Sequence, residues 1–291
     1  MRVIVIAGGD SPEREISLKS ASSVLRALAN LGHEAYLLEP SSNICNDLAS
    51  LSPELVFIAV HGSPGEDGRL QGLLDILGIP YVGSSVLGSA ISMDKDVSKK
   101  LVSFHGVRVP RWICIKNPKD AHPDWDIYPC IVKPADLGSS VGLYLVKTKD
   151  ALTDAIERCL KISKKVMVEE FIEGVDCTVA ILLGKALTPI LIKPSSEVYD
   201  YESKYTHGKS EYSFVEDSEL APKLKELAKV AHSALELGSF SRIDFRVSKE
   251  GEPYFLEANS IPGLTELSLF PMACAKDGID LRTLIEILLR G

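Results

Sequence analysis

The segment from Arg242 to Gly263 constrains this chain more than any other. It reads Arg-Ile-Asp-Phe, a short turn, then Leu-Glu-Ala-Asn-Ser-Ile-Pro-Gly. Residues 241–248 and 253–260 alternate in polarity with period two around a turn signal at Glu250-Gly251, which predicts a β-hairpin. With Glu250 and Gly251 as the central turn residues, Lys249 faces Glu252. That register sets Asp244 opposite Glu257 and Arg242 opposite Asn259. The other face carries Ile243, Phe245, Val247, Tyr254, Leu256 and Ala258 and is apolar. Directly opposed residues hold their Cβ atoms roughly 4.5–5.5 Å apart, and opposed like charges are destabilising. Asp244 and Glu257 therefore need a cation between them. Oxygen-only ligands suit a hard ion, Mg²⁺ first, held by carboxylates together with substrate phosphates. The alternative is a solvated hairpin with chance charges, which Arg242 and Asn259 on the same face argue against.

Length allows two or three compact units, since the chain has 291 residues. A net charge of −8 with no long basic run argues against a nucleic-acid or anionic-membrane surface. A small anion held by a few local lysines stays open. The six cysteines, Cys45, Cys114, Cys130, Cys159, Cys177 and Cys274, are dispersed, with no CxxC pair and no zinc-site spacing. They read as free thiols in a reducing compartment. Met1-Arg2 leads into a short apolar strand without a signal-peptide pattern. No apolar run approaches the roughly 20 residues that span a bilayer. The expectation is a soluble cytoplasmic protein.

Residues 1–88 read as an α/β unit. Residues 3–7, 34–38, 55–60 and 80–82 are strand-like and 70–77 helical. Ser11 suits a helix N-cap with Pro12 at the first helical position, and Gly32 suits the far end of that helix. Such alternation implies a parallel sheet, with ligands beyond the strand carboxyl ends, where residues 8–13 and His61-Gly62 lie. Residues 89–171 form a small α+β unit with one helix over 91–105, and residues 172–291 a second one that carries a polar aromatic loop at 195–212 and the acidic hairpin.

Residues 133–142, Lys-Pro-Ala-Asp-Leu-Gly-Ser-Ser-Val-Gly, link two strand-like segments. Gly138 and Gly142 relax the backbone so that its N–H groups can form an anion nest, Ser139 and Ser140 add hydroxyls, and Lys133 adds charge. The order differs from a Walker A, where Lys follows the glycines, and an ordinary glycine-rich hairpin loop fits as well. Lys95 in Ser-Met-Asp-Lys lies on a helix, as a phosphate ligand or a solvated lysine. Glu169, Glu170 and Asp176 suit adenine and ribose or plain solvent. Glu13 suits a substrate ammonium or its own helix start in a capping box with Asp10. His61 follows a buried strand and suits either a site or a structural role. The tyrosine-rich loop suits a lid or a surface strand. An incomplete glycine fingerprint at Gly8-Gly9 disfavours a nicotinamide-dependent oxidoreductase.

In their order, these pieces resemble the D-alanine–D-alanine ligases of the ATP-grasp superfamily over essentially the whole chain. The resemblance rests on Gly-Gly-x-Ser-x-Glu13-Arg-Glu, Val-His61-Gly-x-x-Gly-Glu-Asp-Gly, Met-Asp-Lys95, and Lys133-Pro with Gly-Ser139-Ser140-Val-Gly. It continues through Tyr-Asp-Tyr-Glu-x-Lys204-Tyr205, Arg242-Ile-Asp244, Glu257-Ala-Asn259, and Pro-Gly263 followed by Ser268. It implies an ATP-grasp fold with an N-terminal parallel-sheet domain (1–88), a central subdomain (89–171) and a C-terminal catalytic domain (172–291). It also implies ATP-dependent joining of two D-alanines through an acyl phosphate, for peptidoglycan precursor synthesis. Another amino-acid pair is the alternative.

By the same resemblance, Lys95 and Lys133 hold ATP phosphates with Ser139, Ser140 and Lys204 nearby, and Glu169, Glu170 and Asp176 meet adenine and ribose. Asp244, Glu257 and Asn259 carry two Mg²⁺ ions, or Mn²⁺. Glu13 binds the first substrate's ammonium with His61 nearby, Arg242 and the Gly263 N–H stabilise the oxyanion, and Lys204 and Ser268 hold the second carboxylate. Ser139 and Tyr205 link the glycine-rich loop to the lid and Glu13. Relatives are commonly homodimers. Two positions depart from the pattern. Asp176 stands where relatives often carry Glu, and Leu267 where they often carry His.

Overall fold

The computed structural model describes residues 1–121, 123–138, 141–194, 210–216 and 219–290. Ser139, Ser140, Lys204, Tyr205 and most of the aromatic loop lie outside these residues. Three sheets organise the rest.

The first sheet is parallel, in the order β2–β1–β3–β4: β1 (Arg2–Ile6), β2 (Glu34–Leu38), β3 (Leu55–Ile58) and β4 (Tyr81–Val82). Both faces are buried, as a near-continuous apolar strand demands. Val3 and Val5 face α1 (Arg14–Asn30), whose Ala21, Val24 and Leu28 recur at helical spacing. Ile4 and Ile6 face α2 (Ile44–Leu51) and α3 (Arg69–Leu77). Helix α1 starts later than its cap signal predicts. Ser11 does not cap it; its hydroxyl accepts from the Glu13 N–H at 3.2 Å and donates to the His61 carbonyl at 2.9 Å. The hydroxyl is thereby spent on tying the loop to the strand end at His61. At the far end Gly32, at φ +78°, closes the helix as expected.

The single helix expected over 91–105 is two, α4 (Val86–Met93) and α5 (Lys95–Phe104). Asp94 breaks them apart in an extended conformation and caps α5, accepting from the Asp96 and Val97 N–H groups, each at 3.1 Å. The second sheet is antiparallel, β5 (Trp112–Ile115), β8 (Val166–Glu170), β6 (Cys130–Pro134) and β7 (Tyr144–Val146) in that order, backed by α6 (Leu152–Leu160).

The third sheet is also antiparallel, β12 (Ser210–Phe214), β11 (Ile190–Pro194), β9 (Gly174–Leu182), β13 (Phe240–Ser248) and β14 (Pro253–Asn259), with β10 (Lys185–Ala186) beside β9. Alternate residues of β9 serve two cores. Cys177, Val179 and Ile181 pack with α5 and α7 (Leu220–Ala234). Ala180 and Leu182 join the core under the first sheet, with α8 (Leu269–Lys276) and α9 (Leu281–Leu288). No helix among the described residues is long and apolar enough to cross a membrane.

The hairpin β13–β14 pairs Arg242 with Asn259 and Asp244 with Glu257, as the alternation predicts. Nearer the turn the expected register is wrong by one residue. Ser248 and Glu252 close a three-residue loop, with Gly251 at φ +80°. Val247 therefore faces Pro253 and Phe245 faces Phe255. A bulge between Asp244 and Phe245 on one strand, at Leu256 on the other, restores the register at the acidic pair. Phe255, fully buried, is thus the core residue, and the expected Tyr254 and Leu256 are not.

Candidate active site

Two cavities flank the acidic hairpin. The first is a cleft between the second and third sheets, about 910 Å³ with its open mouth. Ile131, Val141, Phe171, Ile172, Ile192 and Leu256 give it apolar walls. The bulge that removes Leu256 from the core delivers it here. Polar groups line the rest. Lys133 projects from β6 and donates to Glu169 Oε1 at 2.9 Å. Glu169 is 2% exposed, and its other oxygen meets Lys99 Nζ at 2.8 Å. Glu169 therefore anchors two lysines, and the adenine or ribose contact that the resemblance implies would be made with those lysines in place. Glu170 stands at the rim, accepting from the Arg111 N–H at 3.3 Å. Asp176 pairs with Arg246 at 3.0 Å. Arg246 also donates to the Ile172 carbonyl at 3.0 Å and lies over the Phe171 ring at 5.2 Å, fixing the crossover between the two sheets.

The second cavity is larger, about 2350 Å³ with its mouth, and opens between α1, the end of β14 and the start of α8. Glu13, His61, Glu66, Arg242, Gly263 and Ser268 line it. Gly138, from the glycine-rich loop, comes so close that a Cβ there would lie 2.9 Å from Glu13 Oε2. The loop and Glu13 therefore meet directly. His61 is buried, and burial pushes its imidazole below the ordinary value despite the Glu13 charge. Its Nε2 lies 3.2 Å from the Ser20 hydroxyl, which accepts from the Leu264 N–H at 3.2 Å. The Glu66 carboxyl accepts from the Gly62 N–H at 2.7 Å. Both side chains also interact with the Ile261 peptide group. They brace the turn that leads to Gly263. Ser268 Oγ accepts from the Thr265 N–H at 3.2 Å, and a Cβ on Gly263 would lie 2.8 Å from that oxygen.

Lys95 and Glu257 line both cavities. They are paired at 3.3 Å, and Lys95 Nζ also donates to the Leu137 carbonyl at 2.7 Å. Beside them, Arg242 donates twice to Asp244, at 2.9 and 2.8 Å, and Thr178 donates to the same carboxylate at 2.6 Å. The predicted electrostatic demand of opposed acids is thus met here by Arg242 and Lys95. The donor set of Asp244, Glu257 and Asn259 is all oxygen and fits a hard divalent ion. Asn259 Oδ1 accepts from the Ile261 N–H at 3.0 Å, which orients it. Among the described residues no group of three or more His, Cys, Asp or Glu side chains forms a metal cluster.

The sequence reasoning missed Lys99, Arg246, Leu256 and Glu66. Glu66 stood within the His61 motif and carried a signal. Lys99 lies four residues after Lys95, one helical turn along the same face, which is the pattern that reveals it.

Comparison with known proteins agrees with this geometry. Family models described as the D-ala D-ala ligase N-terminus and C-terminus match residues 38–84 and 95–290. The D-alanine–D-alanine ligase of Aquifex aeolicus is 48% identical over 290 residues, covering 99% of this chain and 100% of that one. The D-alanine–D-alanine ligase of Bacillus anthracis complexed with ATP superposes with a TM-score of 0.85 at 29% identity, over 100% of this chain and 96% of that one. The VanG D-Ala:D-Ser ligase of Enterococcus faecalis gives 0.84 at 30% identity, over 99% and 98%. The chain belongs to the D-alanine–D-alanine ligase family, ATP-dependent ligases with the ATP-grasp fold.

Proposed function

We propose that this chain joins two D-alanines into D-alanyl-D-alanine while cleaving ATP to ADP and phosphate, in the cytoplasm, for peptidoglycan precursors. The observation that carries the reading is the junction at Lys95 and Glu257, where a nucleotide-sized cleft meets a polar cavity. A carboxylate in the second cavity and a phosphate in the first would meet there.

In this reading the first D-alanine places its ammonium on Glu13 and its carboxylate toward the junction. That carboxylate attacks the terminal phosphorus of ATP, and the bond to the ADP oxygen breaks. The amine of the second D-alanine attacks the acyl phosphate. Arg242 and the Gly263 N–H hold the developing oxyanion until phosphate leaves. Losing one such donor typically costs about 10²–10³ in rate. Ser268 and Lys204 take the second carboxylate. Lys95 and Lys133 position phosphates with Ser139 and Ser140, while Glu170 and Asp176 face adenine and ribose. Asp244, Glu257 and Asn259 would hold Mg²⁺, two ions in this reading, which would offset phosphate charge during transfer. Tyr205 and the aromatic loop would keep water from the acyl phosphate. The divisions 1–88, 89–171 and 172–291 and a homodimeric assembly belong to the same reading.

The test is phosphate release from ATP and Mg²⁺ with D-alanine, L-alanine, D-serine or no amino acid, with products identified by mass. D-alanine-dependent release matched by D-alanyl-D-alanine is the expected result. Equal release with L-alanine, or release without dipeptide, overturns it. Preferential formation of a mixed D-alanine–D-serine product moves the chain toward the VanG-like specificity.

A further inference from the structure

Lys99 is fully buried. Its ammonium meets Glu169 Oε2 of β8 at 2.8 Å and donates to the Phe255 carbonyl of β14 at 3.0 Å. It also lies 5.8 Å from the centre of the Phe255 ring. One side chain of α5 thus touches both sheets that wall the first cleft. Lys99 itself does not line that cleft, whereas Lys133, the second partner of Glu169, does. The three side chains form a chain of charge, Lys99–Glu169–Lys133, with one carboxylate between two ammoniums.

The count of charges gives this arrangement a purpose. Two ammoniums and one carboxylate leave a net +1 at the cleft wall. Without Lys99 the cluster would be neutral, and Glu169 would have Lys133 as its remaining partner in it. A carboxylate buried to this degree is costly to leave unpaired. Lys133 would then be locked onto Glu169 and withheld from any ligand. With Lys99 present, Glu169 keeps a counterion whatever Lys133 does.

We propose that Lys99 is a positioning residue for the nucleotide phosphates: as the standing counterion of Glu169, it releases Lys133 to turn toward them. This rests on the ATP reading of the first cleft. Titration of Lys99 supplies a second readout. Burial is the chief cause that lowers its ammonium, to about 8, with the Lys133 charge adding and Glu169 and Glu257 opposing. The charged groups facing it are Glu169 from β8, Lys133 from β6 and Glu257 from β14, with Lys95 on its own helix. As pH rises through about 8, Lys99 loses its proton, the cluster becomes neutral and Lys133 is locked.

The experiment is calorimetric titration of the full chain with Mg²⁺–ADP, for the parent and for Lys99→Met, Lys133→Met and the Lys99→Met/Glu169→Gln pair, with circular dichroism as the control for folding. Loss of a hydrogen bond to a charged group predicts about ten- to a hundredfold weaker ADP binding in Lys99→Met. The Michaelis constants for D-alanine stay unchanged. Neutralising Glu169 in the same chain frees Lys133 and restores most of the affinity, which a merely structural lysine would not do. Unchanged affinity in Lys99→Met beside weakened Lys133→Met overturns the inference, as does failure of the double substitution to restore binding. Unchanged affinity in Lys133→Met overturns the ATP reading of the cleft instead. Should Lys99→Met not fold, the parent's ADP affinity between pH 7 and pH 9 decides: a fall centred near pH 8 supports the inference, and a flat profile overturns it.

Discussion

Glu66 carries a buried carboxyl beside another acid, Glu13, in the second cavity. Burial, and then the Glu13 charge, push it up to about 8, against the Gly62 and Ile261 N–H groups that favour its ionised form. At neutral pH it is a protonated acid, which spares the cavity two adjacent negative charges. Its folded value lies above its unfolded one, so the folded state holds the proton more tightly. The stability this contributes is complete below about pH 4.5 and is lost as pH rises through about 8. Glu66→Gln keeps an acceptor for the Gly62 N–H but has no proton to lose. Its melting temperature should gain on the parent steadily between pH 5 and pH 8, and parallel melting curves across that range would contradict the assignment. Lys99 and Glu66 share one lesson about legibility. A lysine on an amphipathic helix and a glutamate in a glycine-rich turn read as solvent-facing, and only the packing of distant strands makes them interior.

At the scale of elements, alternation carried the pairing of Asp244 with Glu257 and of Arg242 with Asn259, because side-chain period two survives wherever a register is in force. It could not carry the loop and the bulge. The three-residue loop shifts the pairing by one and the bulge at Leu256 shifts it back, so the functional end comes out right while the middle does not. Apolar Leu256 fitted a core face equally well, and its place on the cleft wall follows from the bulge alone. Hydrophobic periodicity similarly ran through Asp94 as one helix, whereas the Asp94 carboxylate is used to start α5 and so to aim Lys95 at the junction. Helix α8 went unread between Gly263 and the last helix. Its leading residue, Ser268, is nonetheless where Gly263 makes its closest side-chain approach. Gly263→Ala would drive that hydroxyl from its place. The Michaelis constant for the second D-alanine should rise roughly two- to tenfold, the range of one lost hydrogen bond, while that for ATP holds. A rise in the ATP constant alone would place Gly263 elsewhere in the reaction.

For the molecule as a whole, the first cleft is built from two sheets that have separate cores, one under α6 and one under α5 and α7. Lys99, Arg246 and the Lys165 contacts to Asp94 and Asp96, at 2.7 and 2.9 Å, hold them together. A nucleotide that spans both walls binds the folded chain and not the unfolded one. At a hundred times its dissociation constant it adds about 2.7 kcal/mol. For a chain of this size that corresponds to a rise in melting temperature of roughly 5 °C, to be read by differential scanning calorimetry with Mg²⁺–ADP. No shift at saturation would mean the cleft does not take the nucleotide. The parallel sheet and the mixed α/β and α+β class were legible, because strand–helix alternation and strand clusters fall in different stretches of sequence; the sharing of cores between those stretches was not. Val3 and Val5 of the opening strand pack in the same core as Leu284, Ile285 and Leu288 of the last helix. A ribosome releases those residues nearly a whole chain apart. Helix α1 covers the Val3 and Val5 side of the strand soon after it emerges, whereas the face of α1 turned toward the last helix stays open to water until residues 281–288 have been made. That apolar face of α1 is therefore the surface most open to aggregation while the intervening residues are being made.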